Sequence, residues 1–291
     1  MKYKIITLIV LMLMIATSAH AFGLNDLKKV DVNKVVKTGK QFQQAAKGIT
    51  PSEEYYIGRA VAANILQKYP LLNNSALTEY VNEVGLTIAG FSEKPYTYGG
   101  YHFGILNTND INAYACPGGT ILITKGLLSL TKNEDELAGV LAHEVAHVAH
   151  NDGTSAIKKS RWTKLGVNTA VAVGEHYTPG QAKAITGAFS GAVGDITKKV
   201  LNNSYGRKAE QKADASALKY MNRAGYDQTA LVALMKTQQS RGIGKGGYLS
   251  MSASPKQRIA WLEKDIKKNR TQNTVATQRT TRFNRKIAKL R

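Results

Sequence analysis

Apolar positions along this chain follow two rhythms, one of about 3.6 residues and one of two, and the switch between them marks its layout. Thr50-Pro51-Ser52-Glu53 combines an N-cap threonine, proline at N1 and glutamate at N3. It opens a predicted helix carrying Tyr56, Ile57, Ala60, Val61 and Ile65. The spacing of Leu77, Val81, Val84 and Ile88 predicts a second helix over Ser75 to Gly90. From Pro95 to Leu128 aromatics, β-branched residues and paired glycines take over, the signature of strands. Tyr101 to Leu106, Ala113 to Cys116 and Thr120 to Thr124 are the predicted strands, with Pro117-Gly118-Gly119 as the turn between the last two.

Helical spacing returns at Leu137, Val140, Leu141, Val145 and Val148, and Thr131-Lys132-Asn133-Glu134 reads as its capping box. Leu165 to Gly194 is rich in Gly and Ala around Pro179; a mobile helical pair over a site and loose packing explain it equally well. A helix is predicted over Ser204 to Asn222, ended by Gly225. The last predicted helix starts at a further capping box, Ser254-Pro255-Lys256-Gln257, and turns Ile259, Leu262 and Ile266 inward. Together these elements describe a mainly helical α+β domain over 50–268.

Within the fourth apolar stretch lies His143-Glu144-Val145-Ala146-His147. Positions i and i+4 of a helix share a face one turn apart, so both imidazoles can reach one zinc ion. Glu144, directly after the first histidine, would lie beside the water that a catalytic zinc keeps in its open position, as general base. The structural alternative is a buried amphipathic helix whose histidines merely find hydrogen-bond partners.

A catalytic zinc takes three protein ligands. His150 is seven residues from His143, about 10 Å along the axis, and cannot join both motif histidines on one ion. The extended pattern H-E-x-x-H-x-x-G-x-x-H also fails, with His150 where glycine is required and Gly153 at the third histidine. Among downstream acids, Glu175 and Asp195 fall in glycine-rich loops, whereas Glu210 lies within a predicted helix with Asp214 one turn later. Glu210 would complete a His2Glu site, and Asp214 could accept the free ring N–H of a zinc histidine. A solvated face pairing with Arg207 or Lys208 accounts for the same spacing, which leaves the choice open.

The chain's 291 residues can bury a sizeable core. Lys2 and Lys4 precede an apolar run from Ile5 to Ile15, and Ala19-His20-Ala21 supplies a small-x-small cleavage signal, so residues 1–21 are expected to be a removed signal peptide. Residues 22–49 read as an arm or marginal helix. No later stretch reaches spanning length without charges or breakers, so the mature protein is expected to be soluble. Cys116 is the lone cysteine, which excludes an internal disulfide and reads as an apolar packing residue. Cleavage takes the net charge from +20 to +18, which favours anionic lipids or envelope polysaccharides over nucleic acid. Ten Lys and Arg lie between Lys264 and Arg291, opposed only by Asp265, and 269–291 is expected to be a basic tail.

Three segments in order, Asn112-Ala113-Tyr114-Ala115-Cys116-Pro117-Gly118-Gly119, Glu136 through His147, and Arg207 through Asp214, closely resemble the HtpX and CAAX-prenyl-endopeptidase family of gluzincin metalloproteases. The likeness runs from about Thr50 to Asp265. It implies a zincin-type metalloprotease domain with a small sheet next to the H-E-x-x-H helix. It further implies one Zn2+ per chain on His143, His147 and Glu210, Glu144 as catalytic base, and Asp214 supporting a zinc histidine. Asn112, Ala113, Tyr114, Ala115 and Gly118 would form the substrate-binding edge. Without spanning helices the chain looks more like the family's exported branch, and the periplasm of a Gram-negative bacterium is the expected location.

The expected function is zinc-dependent endopeptidase action on unfolded or misassembled envelope proteins. The alternative is a non-catalytic zinc-containing chaperone or adaptor that binds extended polypeptides. One departure stands out: many relatives carry His-Pro near the start of the last helix, where this chain has Ser254-Pro255, followed by the expected Arg258. His176 and Tyr205 stay open as residues that could take over that histidine's role, without spacing to support either.

Overall fold

The computed structural model describes residues 49–154, 187, 190–202, 205–242, 254–268, 277–288 and 290. The expected signal peptide, the arm up to residue 48, and most of the 165–194 stretch with Glu175 and His176 lie outside the described residues. In chain order the described elements are α1 (Pro51–Lys68), α2 (Ser75–Gly90), β1 (His102–Leu106), β2 (Ala113–Ala115), a 3-10 turn (Pro117–Gly119), β3 (Thr120–Thr124) and α3 (Lys125–Leu130). They continue with α4 (Glu134–Ala149), α5 (Ser190–Leu201), α6 (Arg207–Arg223), α7 (Thr229–Ser240), α8 (Pro255–Lys268) and α9 (Thr277–Ile287). No described helix is long and apolar enough to cross a membrane.

Local chemistry sets most of the boundaries. At α1 the Thr50 side chain accepts from the Glu53 N–H, and Glu53 Oε2 accepts from the Thr50 N–H at 2.8 Å, the reciprocal cap that the residues predict. Ser254 and Gln257 exchange the same pair of bonds at the start of α8. The cap of α4 differs from the expected one. Thr131 closes α3, its hydroxyl donating to Leu128 O at 2.7 Å, and Asn133 is the N-cap, accepting from the Glu136 N–H at 2.8 Å. Helix α6 starts at Arg207, three residues later than expected, behind Gly206 at φ 91°. Gly225 follows its end at φ 78°, a conformation that favours glycine.

The strands form a mixed sheet in the order β1-β3-β2, with β1 parallel and β2 antiparallel to β3. Tyr101 and Cys116 fall just outside the strands predicted to include them. Alternation along the strands divides the apolar residues between two cores. Phe103, Ile105, Ala113, Ala115, Ile121 and Ile123 join the larger one with α2, α4, α6, α7, α8 and α9. Leu106, Tyr114, Cys116 and Leu122 face α1 and α5 instead. Cys116 is a free, buried thiol in that second core, and burial pushes its pKa up.

The Pro117–Gly119 turn holds α1 close. Gly118 and Gly119 sit at φ 76° and 106°, and a Cβ on Gly58 would lie 1.7 Å from Pro117 O. Helix and turn therefore meet backbone to backbone, an approach only glycine permits.

The segment expected as a basic tail contains a docked helix. In α9, Phe283 and Ile287 are buried among core residues. Arg282 pairs with Glu134, and Arg279 lies 3.1 Å from Asp135. Both acids are fully buried in the first turn of α4, where Tyr80 and Tyr226 also donate to Glu134 at 2.9 and 3.1 Å. Carboxylates buried there need cations, and the tail's arginines supply them. Phe283→Ala should lower stability by about 3–5 kcal/mol in denaturant unfolding. A solvated tail would respond by less than about 0.5 kcal/mol.

Candidate metal centre and active site

Helix α4 is buried on all sides from Glu134 to Val148, so its polar groups must be matched inside the protein. His143 and His147, one turn apart, cross at an interplanar angle of 85° with their Nε2 atoms 3.0 Å apart. Glu210, from the first turn of α6, completes the cluster. Its Oε2 lies 3.4 Å from His143 Nε2 and its Oε1 3.7 Å from His147 Nε2. Among the described residues this is the group of three whose donor atoms could hold one ion.

The donor set fits zinc. Arms of about 2.0–2.1 Å in a tetrahedron imply edges of about 3.3–3.4 Å, close to the spacings found. Both Glu210 oxygens are buried without a hydrogen-bond partner, a costly arrangement that a cation between the three groups would resolve. Although burial opposes it, the two histidines hold Glu210 down to about 2, firmly ionised.

Each histidine is held from behind by its own carboxylate. Asp214 Oδ1 lies 2.9 Å from His143 Nδ1, and Asp152 Oδ2 lies 2.8 Å from His147 Nδ1. Such contacts fix Nδ1 as the protonated nitrogen and leave Nε2 for the metal. Asp214 is in turn gripped by α8: Arg258 donates to both oxygens at 2.9 and 2.6 Å, and Trp261 Nε1 donates at 2.8 Å. Burial would lower both histidines, but Asp214 and Glu210 raise His143, and Asp152 and Glu210 push His147 up to about 10.

Glu144 is 2% exposed, and burial raises its carboxyl despite the two histidines beside it. Burial first, and the neighbouring Glu144 carboxyl second, raise both the Cys116 thiol and the Tyr205 hydroxyl. Of the segment singled out as a substrate edge, Ala113 and Ala115 lie on β2, an edge strand of the described sheet, and Asn112 directly precedes it. Tyr114 instead turns into the second core and stacks on Tyr69 at 6.4 Å, while Gly118 is buried in the turn against Tyr55.

Some expectations do not place residues here. Asp195 is exposed on α5, not in a loop, and takes no part in the cluster. His150 turns away, its Nε2 3.1 Å from Ser216 Oγ. Sequence reasoning missed Asp152, Trp261 and the stacking of Tyr205 on His147 at 4.4 Å. For Asp152 a signal existed: Asn151 at φ 56° folds the chain back, and the Asp152 N–H reaches His147 O at 3.1 Å.

A helix-borne histidine pair closed by a glutamate from a second helix, with an acid beside the first histidine, defines a zincin-type zinc site. The chain belongs to peptidase family M48, whose model matches residues 75–266. It is 25% identical over 191 residues to the beta-barrel assembly-enhancing protease of Escherichia coli (strain K12), covering 64% of this chain and 38% of that protein. It is 26% identical over 241 residues to the metalloprotease YcaL of Escherichia coli (strain K12), covering 81% of this chain and 88% of the relative. A protease HtpX homolog of Fusobacterium nucleatum is 28% identical over 202 residues, covering 66% and 65%. The chain thus spans well under half the length of the beta-barrel assembly-enhancing proteases.

Two outcomes are expected. Asp152→Asn and Asp214→Asn should each weaken zinc binding about 10- to 100-fold in a chelator competition, since each loosens a ligand histidine. Zinc must also displace protons from histidines whose pKa values are raised. Its affinity should therefore fall as pH drops, with protons released on binding at pH 7; calorimetry in buffers of different ionisation heat reads that release.

Proposed function

We propose that this protein is a zinc-dependent endopeptidase acting on unfolded or misassembled proteins of the cell envelope. The observation that carries the reading is the buried His143, His147 and Glu210 cluster with Glu144 on the same helix. The bound ion would supply Lewis acidity to activate a water and polarise the scissile carbonyl. Glu144 takes the proton of the attacking water and returns it to the departing amine. Burial raises its carboxyl, the direction that suits a base also required to act as an acid. Asp214 and Asp152 keep the histidines turned toward the ion, while Arg258 fixes Asp214.

An extended substrate fits beside β2, whose edge position offers main-chain groups to a further strand. Membership of family M48 supports peptide-bond hydrolysis, and the name of the beta-barrel assembly-enhancing protease supports a substrate class in the envelope. The leader-like residues 1–21 favour export to the periplasm. Surface lysines and arginines suit an anionic envelope surface, and nucleic acid is not an expected partner.

Glu144→Gln should leave one zinc per chain while cleavage of unfolded casein falls at least about 100-fold. Wild-type protein that binds casein stably, with zinc present and no product, would instead mark a zinc-containing chaperone or adaptor.

A further inference from the structure

The edge of β2 is not vacant. In an antiparallel pair, alternate residues direct both backbone polar groups at the partner strand and the residues between direct theirs away. Cys116 N donates to Thr120 O at 2.8 Å, and Thr124 N donates to Asn112 O at 3.0 Å. The main-chain groups of Asn112, Tyr114 and Cys116 therefore face β3, which turns those of Ala113 and Ala115 to the outward edge. There the Tyr205 hydroxyl donates to Ala115 O at 3.1 Å. A pairing peptide would put an N–H in that place.

The rest of Tyr205 fits the same part. Its ring stacks on His147 at 4.4 Å and an interplanar angle of 29°, so it covers a metal-binding imidazole as well as the strand edge. Lys199 from α5 lies 5.1 Å from the ring centroid. The neighbouring Gly206 has φ 91° with open space around the position its Cβ would take. Tyr205 thus hangs on a glycine pivot immediately before α6, the helix that carries Glu210.

We propose that Tyr205 is an internal stand-in for substrate: an extended polypeptide binds the β2 edge only by displacing the Tyr205 hydroxyl from Ala115. This inference rests on the reading of that edge as the peptide-binding site. It makes Tyr205 a residue that sets which polypeptides enter. Chains able to offer a free, extended backbone can replace its bond, and folded segments cannot.

The test uses full-length, zinc-loaded Glu144→Gln protein with a fluorescein-labelled casein peptide, read by anisotropy. Adding Tyr205→Phe keeps the ring on His147 and removes the competing donor. Peptide Kd should fall about 3- to 10-fold, the size of one net hydrogen bond. In the protein with Glu144 intact, KM should fall by the same factor without a matching loss of kcat. Unchanged or weaker binding overturns the proposal, as does a loss of kcat at constant KM. A second readout needs no Tyr205 variant: nitration of Tyr205 by tetranitromethane, mapped by mass spectrometry, should rise when unlabelled peptide is bound. Tyr205 that stays protected under bound peptide overturns it too. If no peptide binds either protein, the peptide-edge reading falls and takes this inference with it; binding that ignores Tyr205 removes the inference alone.

Discussion

Acidic groups buried around α4 must be matched inside the protein, and that requirement organises the surrounding structure. Glu134, Asp135, Glu210 and Asp214 are all at or near zero exposure. An unpaired buried charge costs several kcal/mol, so each demands a counter-charge or donors. Arg282 and Arg279 from α9 answer the first two, and Arg258 from α8 answers Asp214. Glu210 alone of these four has its carboxylate oxygens without hydrogen bonds, facing two imidazole nitrogens. A dication is the partner that these donors suit.

The same requirement ties distant parts of the chain to the site. Helix α8 contributes no donor atom to the cluster, yet Arg258 and Trp261 set the orientation of His143 through Asp214. Helix α9 is farther still along the chain and holds the N-terminal end of the helix that bears both histidines. The family match ends at residue 266, before α9 begins. Helix α1, which lies before the matched region, fixes the Pro117–Gly119 turn through Gly58 and so helps place β2. Site geometry depends on both flanks.

Two cores separated by a small sheet explain how an edge strand can lie beside a buried cluster. The larger core packs α4 against one face of β2 and β3, and the smaller packs α1 and α5 against the other. With both faces covered, the outward edge of β2 carries the backbone groups that β3 does not take. Tyr205, which satisfies Ala115 there, belongs to the segment leading into α6 and not to the sheet. Metal cluster and strand edge are thereby joined through one aromatic ring.

Features that depend on near neighbours were legible in the sequence. The reciprocal caps at Thr50 and Ser254, the span Ser75–Gly90, strand Thr120–Thr124 and the i, i+4 histidine pair each arise from residues within a turn or two of one another. Even the misplaced cap of α4 was a local contest, decided when α3 took Thr131 for its own end. Glu210 and Asp214 were readable as candidates because a rigid helix spaced them, although their approach to α4 was not. Only the tertiary structure decided what had no period to betray it. Tyr205 lies on a strand edge far along the chain, and a helix poor in apolar residues docks because buried acids elsewhere need its arginines. Periodicity records which face of an element is apolar; the pairing of buried charges is settled between elements, where no single stretch of sequence carries the information.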